Sequence, residues 1–245
     1  MPLEVYHLHL SQSERVVWLL EEMQVPYDLK IFQRDPESGG SPEELKKITS
    51  TGTAPFFRDT NMSPPVELFE SMAIVDYILS VYSGKAPGTR MIRTPGDPDY
   101  VPYLSWLHYA NGTLQPGLGR SMSLGFAGQN DSAIGKRFGD KFKNALKLVD
   151  NRLSKTRYLA GEELSAADAM TVFTLTTMRG FYPVNLAPFK NILRYLSDVA
   201  KRPAYLEALK KADGGMEPMN QAKTRKFLEF AAFRPFLDTT EDGVE

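Results

Sequence analysis

The first third of the chain alternates between two patterns of apolar positions. Four segments have the alternation or the short apolar run expected of strands: 4–10, 27–32, 54–57 and 66–69. Three others have apolar residues every three or four positions, as in helices: 14–25, a short one beginning at 41, and 71–82. The last two strand segments flank a short connection with Pro64 and Pro65, which is typical of an antiparallel pair. The pattern therefore predicts the element order βαβαββα.

The rest of the chain is predicted to be helical. Residues 84–98 combine glycine and proline without a period and are interpreted as a linker between an N-terminal domain of residues 1–83 and a helical domain of residues 99–212. Helical spacing occurs in five segments of that domain: 99–112, 138–153, 169–178, 191–199 and 204–211. Ser165 and Asp168 have the spacing of a capping box, so we assign both a structural role.

Two further segments have unusual composition. The glycine-rich segment 114–128 is predicted to be a flexible connection. Residues 213–245 form a C-terminal extension whose phenylalanines are too many for a solvated arm. We predict that the extension is partly helical and packs over the active-site mouth or against the back of the helical domain, and that residues 238–245 fray.

Composition and charge exclude several classes of protein. The 245 residues are 42% hydrophobic and 24% charged, which suits two small packed domains. The net charge of −1 gives no reason to expect nucleic acid as a partner. No apolar run approaches the roughly 20 residues of a membrane span, and no leader segment is recognisable, so a cytoplasmic protein without a membrane partner is expected. Cysteine is absent, which excludes disulfides and a cysteine nucleophile.

Histidine does not suggest a metal site. His7 and His9 are predicted to share one face of the first strand, and His108 is the remaining histidine of the chain. A zinc site needs a third protein ligand, and no candidate is evident. We therefore predict no metal and interpret the pair as ordinary strand histidines.

Motifs in the N-terminal domain are candidates for binding. Pro55 opens a strand, and either it simply begins the strand or a cis bond turns Ala54 so that its N–H and C=O face a ligand. Glu70 and Ser71 stand where a helix begins, and the free N–H groups of a helix N-terminus attract a carboxylate. The Glu70 carboxylate in turn can accept from an ammonium group.

This combination resembles the cytosolic glutathione transferases, over roughly residues 3–211. The resemblance implies a thioredoxin-like, glutathione-binding α/β domain followed by an all-α domain, with glutathione as co-substrate. It implies that Pro55 is cis and that Ala54 pairs through its main chain with the cysteinyl part of glutathione. It also implies that Glu70 and Ser71 hold the γ-glutamyl end.

The resemblance is to the serine-type members, such as the theta and delta classes and similar fungal proteins. A serine four residues before Arg15 has the spacing of their activating hydroxyl, which implies that role for Ser11, with Ser13 in reserve. For both serines the simpler structural role is helix capping. A hydroxyl that donates to sulfur beside a helix N-terminus lowers the pKa of a thiol, which is otherwise about 8.5.

One position departs from the family pattern, and the second substrate is expected to bind against the helical domain. Many members have a lysine that meets the glycine carboxylate of glutathione, and this chain has Thr53 there, so Thr53 itself or Lys47, with neighbouring Lys46, is a candidate replacement. Candidates for a hydrophobic substrate pocket between the domains are five residues of the helical domain: Tyr103, Trp106, Tyr109, Met122 and Phe126. For the first three, packing in the core or in a dimer is the alternative.

Three functions follow from the resemblance. The first is a glutathione transferase in which Ser11 stabilises a thiolate that attacks an apolar electrophile. The second is an enzyme of the same fold that catalyses isomerisation, elimination or cyclisation of a bulky hydrophobic metabolite. The third is a non-catalytic binding module, since fold alone does not decide function. The family also implies a homodimer.

Overall fold

The first unit of the protein is built on a four-stranded mixed sheet. A computed structural model describes residues 3–239. The elements of this unit occur in the order β1 (Leu3–Leu8), α1 (Glu14–Met23), β2 (Tyr27–Phe32), α2 (Glu43–Ile48), β3 (Phe56–Asp59), β4 (Val66–Phe69) and α3 (Ser71–Tyr82). The strand order is β2-β1-β3-β4, with β1 parallel to β2 and antiparallel to β3, and β3 antiparallel to β4. The predicted βαβαββα order is confirmed.

The side chains of β1 alternate between the two faces of the sheet. Tyr6 and Leu8 join Leu45 of α2 and Phe56 of β3 in a buried apolar cluster on one face. His7 lies on the other face, fully buried, and its ring contacts the start of α1. A polar side chain in this position needs partners to offset its burial, and the partners of His7 lie in the candidate site.

Two predicted strand boundaries are wrong. β1 ends at Leu8 and does not continue to residue 10, because Leu10 has a φ of 54°, which no strand residue adopts. β3 begins at Phe56, two residues later than predicted. Pro55 has no N–H to donate to a strand ladder, so regular pairing begins after it.

A later helix also belongs to the first compact unit, which consists of residues 3–92 and 200–218. This helix, α9 (Pro203–Ala212), packs on α1, where the rings of Tyr205 and Trp18 are 4.9 Å apart. The Tyr205 hydroxyl donates to Glu14 at 3.2 Å, and Arg202 donates to Glu22 at 2.7 Å. The predicted domain boundaries assign this helix to the helical domain, because helical spacing alone does not reveal which helix it packs against.

The second unit, residues 93–199 and 219–239, is helical. It contains α4 (Tyr100–Tyr109), a π-helical turn (Ala110–Leu114), α5 (Gln115–Phe126), α6 (Ala133–Leu153), α7 (Ala166–Leu175), a 3-10 turn (Thr177–Gly180), α8 (Lys190–Val199) and α10 (Arg234–Thr239). Across residues 3–239, no helix combines the length and the apolar character that crossing a membrane requires.

The prediction of a flexible connection over residues 114–128 is wrong, because most of that segment is helix α5. Pro116 stands in the first turn of α5, where a missing N–H costs nothing. The glycines allow close packing: a Cβ at Gly117 would lie 3.1 Å from Phe142, and one at Gly125 would lie 2.7 Å from Tyr182. Gly117 and Gly125 therefore permit close contact with neighbouring rings.

The predicted capping box is present at the start of α7. The Asp168 side chain accepts from the backbone N–H of Ser165 at 2.9 Å, and the Ser165 side chain meets the backbone of Asp168 in return. Asp168 also accepts from Leu159 N–H at 3.0 Å and from the Tyr195 hydroxyl at 3.1 Å. Both box residues are fully buried, so the box joins the start of α7 to its neighbours.

The C-terminal extension packs its aromatic side chains inside the helical unit. Phe227 is fully buried, its N–H donates to Gly180 O at 2.9 Å, and its ring lies 4.7 Å from that of Phe181. Phe236 stacks on Tyr182 at 5.4 Å. The predicted fraying at the chain terminus concerns residues that, from 240 onward, lie outside those described.

Candidate active site

Three strand ends meet at one edge of the sheet in the first unit. Because β1 and β4 run parallel to one another and β3 runs against both, the ends of β1 and β4 lie beside the start of β3. Ser11 follows β1, Pro55 precedes β3, and Glu70 follows β4. The topology therefore brings the serine, the proline and the Glu-Ser motifs to the same edge.

The Ala54–Pro55 peptide bond is cis, as the family resemblance implied. Both residues are buried. Phe56 of β3 pairs with Phe69 of β4. Pro55 immediately precedes this pair on one strand, and Glu70 immediately follows it on the other. This register places the backbone of Ala54 close to the start of α3.

Glu70 and Ser71 form the corner between β4 and α3. Glu70 is exposed and has a φ of 72°, a left-handed conformation that side chains rarely adopt. Ser71 is the first residue of α3 and is buried, and its hydroxyl accepts from Arg15 at 3.4 Å. An exposed carboxylate therefore lies beside the free N–H groups at the start of a helix, and a zwitterionic amino-acid group has charges that match this pair.

Arg15 connects the start of α1 to the start of α3. Its side chain is fully buried, and it donates to Gln12 and Ser71 at 3.4 Å each. Burial lowers the pKa of Arg15 to about 9, although the neighbouring Glu14 acts in the opposite direction. The geometry gives Arg15 a structural part in the site, because it holds two helix N-termini together.

Ser11 and Ser13 lie in the turn between β1 and α1. Ser13 occupies the N-cap position, but its hydroxyl makes no capping bond. Its Oγ lies 2.8 Å from His7 Nδ1 and 2.6 Å from Ser11 Oγ, and it accepts from Leu8 N–H at 3.3 Å. Ser11 is 5% exposed and Ser13 is fully buried. Ser11 is thus the outer member of a pair of bonded hydroxyl groups, and the assignment of either serine to sulfur stays a prediction.

Hydrogen bonds to both backbone groups of Leu10 fix the turn that carries Ser11. The Leu10 N–H donates to Asp213 Oδ1 at 2.7 Å, and its carbonyl accepts from Arg34 Nη2 at 3.0 Å. Arg34 Nε also donates to the carbonyl of His9 at 2.8 Å. Burial lowers the pKa of Arg34 to about 10, while the nearby Asp213 acts to raise it. These bonds keep Leu10 in its left-handed conformation and fix the position of the turn.

Sequence reasoning missed Asp213 and the role of His7. Asp213 Oδ1 lies 3.2 Å from His7 Nε2 and 2.9 Å from His9 Nδ1. Burial would raise the pKa of Asp213, but the bonds from His7, His9 and the Leu10 N–H together hold that pKa below its ordinary value. The two histidines were visible in the sequence, whereas no local signal marks an aspartate 206 residues from His7.

The described residues around these histidines form no metal-binding arrangement. Within the described part of the chain, no three His, Cys, Asp or Glu side chains are grouped so that they could hold a metal ion. Asp213 Oδ2 is buried without a hydrogen-bond partner there. His7 and His9 each place one ring nitrogen within hydrogen-bond distance of Asp213 Oδ1.

The candidate replacements for the missing lysine are all on the surface. Lys46 pairs with Glu43 at 2.7 Å, and Lys47 is exposed and makes no ion pair with any residue from 3 to 239. The Thr53 hydroxyl lies 2.9 Å from that of Thr51. None of these side chains is held in one position by burial. Binding a ligand would therefore cost conformational entropy of the side chain that contacts it.

The three predicted pocket residues of α4 differ in environment. Tyr103 is buried, whereas Trp106 and Tyr109 are half-buried and pack edge to face at 5.1 Å. The Tyr109 hydroxyl donates to Ala145 O of α6 at 3.2 Å, and burial raises the pKa of Tyr109. Tyr109 therefore also has a packing role between two helices.

The two predicted pocket residues of α5 have different surroundings. Met122 lines a surface groove of about 560 Å³ together with Leu124 and Phe138. Phe126 lies against the extension, 5.4 Å from Phe233 by ring centroids. The structure thus leaves Met122 beside a groove and places Phe126 under the extension.

Two family models match the chain. The glutathione S-transferase N-terminal domain matches residues 5–86, and the glutathione S-transferase C-terminal domain matches residues 136–203. The first range contains Ser11, Pro55 and the Glu70–Ser71 corner. The second contains the capping box of α7.

Whole-chain comparisons agree with these matches. Glutathione S-transferase 3 of Schizosaccharomyces pombe is 28% identical over 225 residues, which are 85% of this chain and 87% of that protein. Disulfide-bond oxidoreductase YghU of Escherichia coli is 26% identical over 219 residues, covering 83% and 72%. The crystal structure of a glutathione S-transferase from Actinobacillus pleuropneumoniae is similar with a TM-score of 0.74 and 29% identity, over 87% of this chain and 94% of that one.

Proposed function

We propose that this chain, which belongs to the cytosolic glutathione transferase superfamily, transfers glutathione to an electrophilic, largely apolar second substrate. Glutathione is the co-substrate in this proposal, and thiolate attack of this kind needs no metal ion. From the family we also propose that the protein works in the cytoplasm as a homodimer.

The observation that carries the proposal is the meeting of three motifs at one sheet edge. The Glu70 carboxylate and the free N–H groups at the start of α3 suit the ammonium and carboxylate of a γ-glutamyl group. The backbone at Ala54 suits main-chain pairing with the cysteinyl residue, since it directly precedes β3. Ser11 then supports the reaction, because its hydroxyl lies in the turn before α1, at the same edge.

The chemistry of this arrangement is the stabilisation of a thiolate. A free thiol has a pKa of about 8.5, so little thiolate exists at neutral pH. A hydrogen bond from Ser11 and the positive end of α1 both favour the charged form of the sulfur. Each unit by which the pKa falls corresponds to about 1.36 kcal/mol and to about tenfold more thiolate well below the pKa.

The second substrate is proposed to bind in the helical unit, where Met122 lines a groove with Leu124 and Phe138. These apolar side chains favour an apolar molecule by burying its surface. Arg120 and Ser123 supply polar groups at the same groove, and a few such groups are enough to orient a small ligand.

A second candidate function is thiol–disulfide exchange, which the similarity to a disulfide-bond oxidoreductase favours. The chain has no cysteine, so the attacking thiol is not a side chain of the protein, and glutathione is its proposed source. The same activated thiolate would then attack a disulfide instead of a carbon electrophile. Assays with an aryl halide and with a small disulfide separate these two candidates.

Replacement of Ser11 by alanine tests the proposal. We expect Ser11→Ala to bind glutathione but to conjugate a generic aryl halide about tenfold to a hundredfold more slowly at neutral pH, because the thiolate loses its hydrogen-bond donor. Calorimetry measures binding, and initial rates of conjugation measure activity. The loss should shrink as the pH approaches the pKa of free thiol.

Ser80→Ala is the matched control, since Ser80 is exposed on α3 and the same atom is removed. This variant should keep the full rate. Equal rates for wild type and Ser11→Ala, with glutathione bound in both, would exclude Ser11 as the activating group. A folded wild-type protein that takes up no glutathione would overturn the whole proposal.

A further inference from the structure

Behind Ser11, a buried series of hydrogen bonds extends through the first unit. Ser11 Oγ lies 2.6 Å from Ser13 Oγ, Ser13 Oγ lies 2.8 Å from His7 Nδ1, and His7 Nε2 lies 3.2 Å from Asp213 Oδ1. Ser11 is 5% exposed, Asp213 is 4% exposed, and the two residues between them are fully buried. Helix capping does not explain these bonds, because the Ser13 side chain makes no capping bond.

The protonation state of His7 decides the direction of every bond in this series. A carboxylate only accepts, so His7 Nε2 must carry a hydrogen to bond Asp213. In neutral His7 the Nδ1 atom is then an acceptor and takes the hydrogen of Ser13. Ser13 is left to accept from Ser11, and the single hydroxyl hydrogen of Ser11 points inward, away from any ligand.

The series reverses when His7 carries two hydrogens. His7 Nδ1 then donates to Ser13 Oγ, and Ser13 donates to Ser11 Oγ. The hydroxyl hydrogen of Ser11 becomes available for a bond to a group outside the series. Thiolate stabilisation by Ser11 needs this second arrangement, because a hydroxyl has only one hydrogen to donate.

We propose, resting on the proposed function, that Ser13, His7 and Asp213 form a proton relay that accepts the thiol proton of bound glutathione through Ser11. The S–H bond breaks and Ser11 Oγ gains that proton while its own passes to Ser13 Oγ. Ser13 passes its original proton to His7 Nδ1. The products are a thiolate that accepts a bond from Ser11 and an imidazolium beside the Asp213 carboxylate. One proton has moved from sulfur to nitrogen, and it leaves to solvent when the thiolate is consumed.

The surroundings of His7 suit this role. Asp213 Oδ1 has further donors in His9 Nδ1 at 2.9 Å and the Leu10 N–H at 2.7 Å, so the carboxylate stays in place and charged. The titratable and charged side chains at this end of the series are His9, Arg34 and Asp213, from the end of β1, the loop after β2 and the residue after α9. Among them, Asp213 is the carboxylate that bonds the His7 ring.

Two variants interrupt the relay at different points and leave Ser11 in place. Ser13→Ala removes the link between Ser11 and His7. His7→Asn keeps a polar side chain of similar reach that cannot be protonated near neutral pH. His108→Asn is the matched control, because His108 is exposed on α4. Circular dichroism and thermal unfolding confirm that each variant is folded, and Ser13→Ala decides the question if His7→Asn does not fold.

The readout is the ultraviolet absorbance of the thiolate of bound glutathione as a function of pH. We expect the apparent pKa of the bound thiol to rise by about one unit or more in both relay variants and to stay unchanged in His108→Asn. Conjugation at about pH 6.5 should fall about tenfold and recover at alkaline pH. A merely structural role for these residues would change affinity or stability without moving the thiol pKa.

The outcomes separate the relay from the proposed function. If wild type binds glutathione and Ser11→Ala loses activity, but neither relay variant moves the thiol pKa, the relay is wrong and the transferase proposal stands. If wild type forms no thiolate with glutathione, both are wrong. A rise of the thiol pKa in both relay variants, with the control unchanged, supports the relay.

Discussion

Truncation of Phe227 to alanine is expected to destabilise the protein by about 3–5 kcal/mol. Phe227 is fully buried, and its ring packs edge to face against Phe181 at 4.7 Å. Gly180 provides the space for that ring, since a Cβ there would lie 2.3 Å from it. Removal of the ring leaves a cavity that rigid surroundings cannot fill, so both transfer free energy and packing contacts are lost.

Urea unfolding followed by circular dichroism measures this effect, and thermal unfolding should show a midpoint lower by about 6–20 °C. The control is Leu228→Ala, because Leu228 is the next residue along the chain and is 39% exposed. We expect the control to cost less than about 1 kcal/mol. Similar losses in both variants would mean that the extension is not anchored by Phe227.

Replacement of Asp213 by alanine is expected to cost about 3–5 kcal/mol as well. The Asp213 carboxylate accepts from His7 and His9 and from the Leu10 N–H, and His7 and Leu10 are fully buried. Without the carboxylate those donors lose their partner inside the protein, which costs more than the bonds themselves contribute. Asp140→Ala is the control, since Asp140 is exposed on α6, and it should change stability by less than about 0.5 kcal/mol.

Asp213 should also make the free energy of unfolding depend on pH, with lower stability in acid. Burial alone would raise the pKa of Asp213, but its bonds with His7, His9 and Leu10 hold that pKa below the value of an unfolded aspartate. Its contribution to stability is therefore complete above the unfolded pKa of about 3.9 and is lost as the pH falls through the folded pKa. Urea unfolding between about pH 6 and pH 3 should show a shallower acid loss for Asp213→Ala than for wild type. Parallel curves would contradict the assigned pKa direction.

Much of the first unit could be predicted because short stretches of sequence indicate its strands and helices. The alternation around β1 and the helical spacing after Ser71 each depend on a few neighbouring residues, and both elements form nearly as predicted. The Ser11, Pro55 and Glu70 motifs were also visible, because each stands at the end or the start of a predicted strand. Only the sheet topology shows that these ends share one edge.

Other features required the three-dimensional structure, for identifiable reasons. Gly117 and Gly125 were interpreted as signs of flexibility, but each allows an aromatic ring to approach α5. Asp213 was missed because its partners His7 and Leu10 lie more than two hundred residues earlier in the chain. Helix capping is the simpler role that the sequence predicts for Ser11 and Ser13, but the Ser13 hydroxyl bonds His7 and Ser11 and makes no capping bond.

Glutathione is proposed to bind at this sheet edge with its γ-glutamyl end on the Glu70–Ser71 corner. Calorimetric titration of glutathione into wild type, Glu70→Gln and Glu44→Gln tests it most directly, since Glu44 is an exposed glutamate on α2. We predict one site per chain with a dissociation constant below about 1 mM in wild type and in Glu44→Gln. Affinity should fall about tenfold or more in Glu70→Gln, because a charge-assisted hydrogen bond is lost. No binding heat from folded wild-type protein, or equal affinity in all three, would contradict the claim.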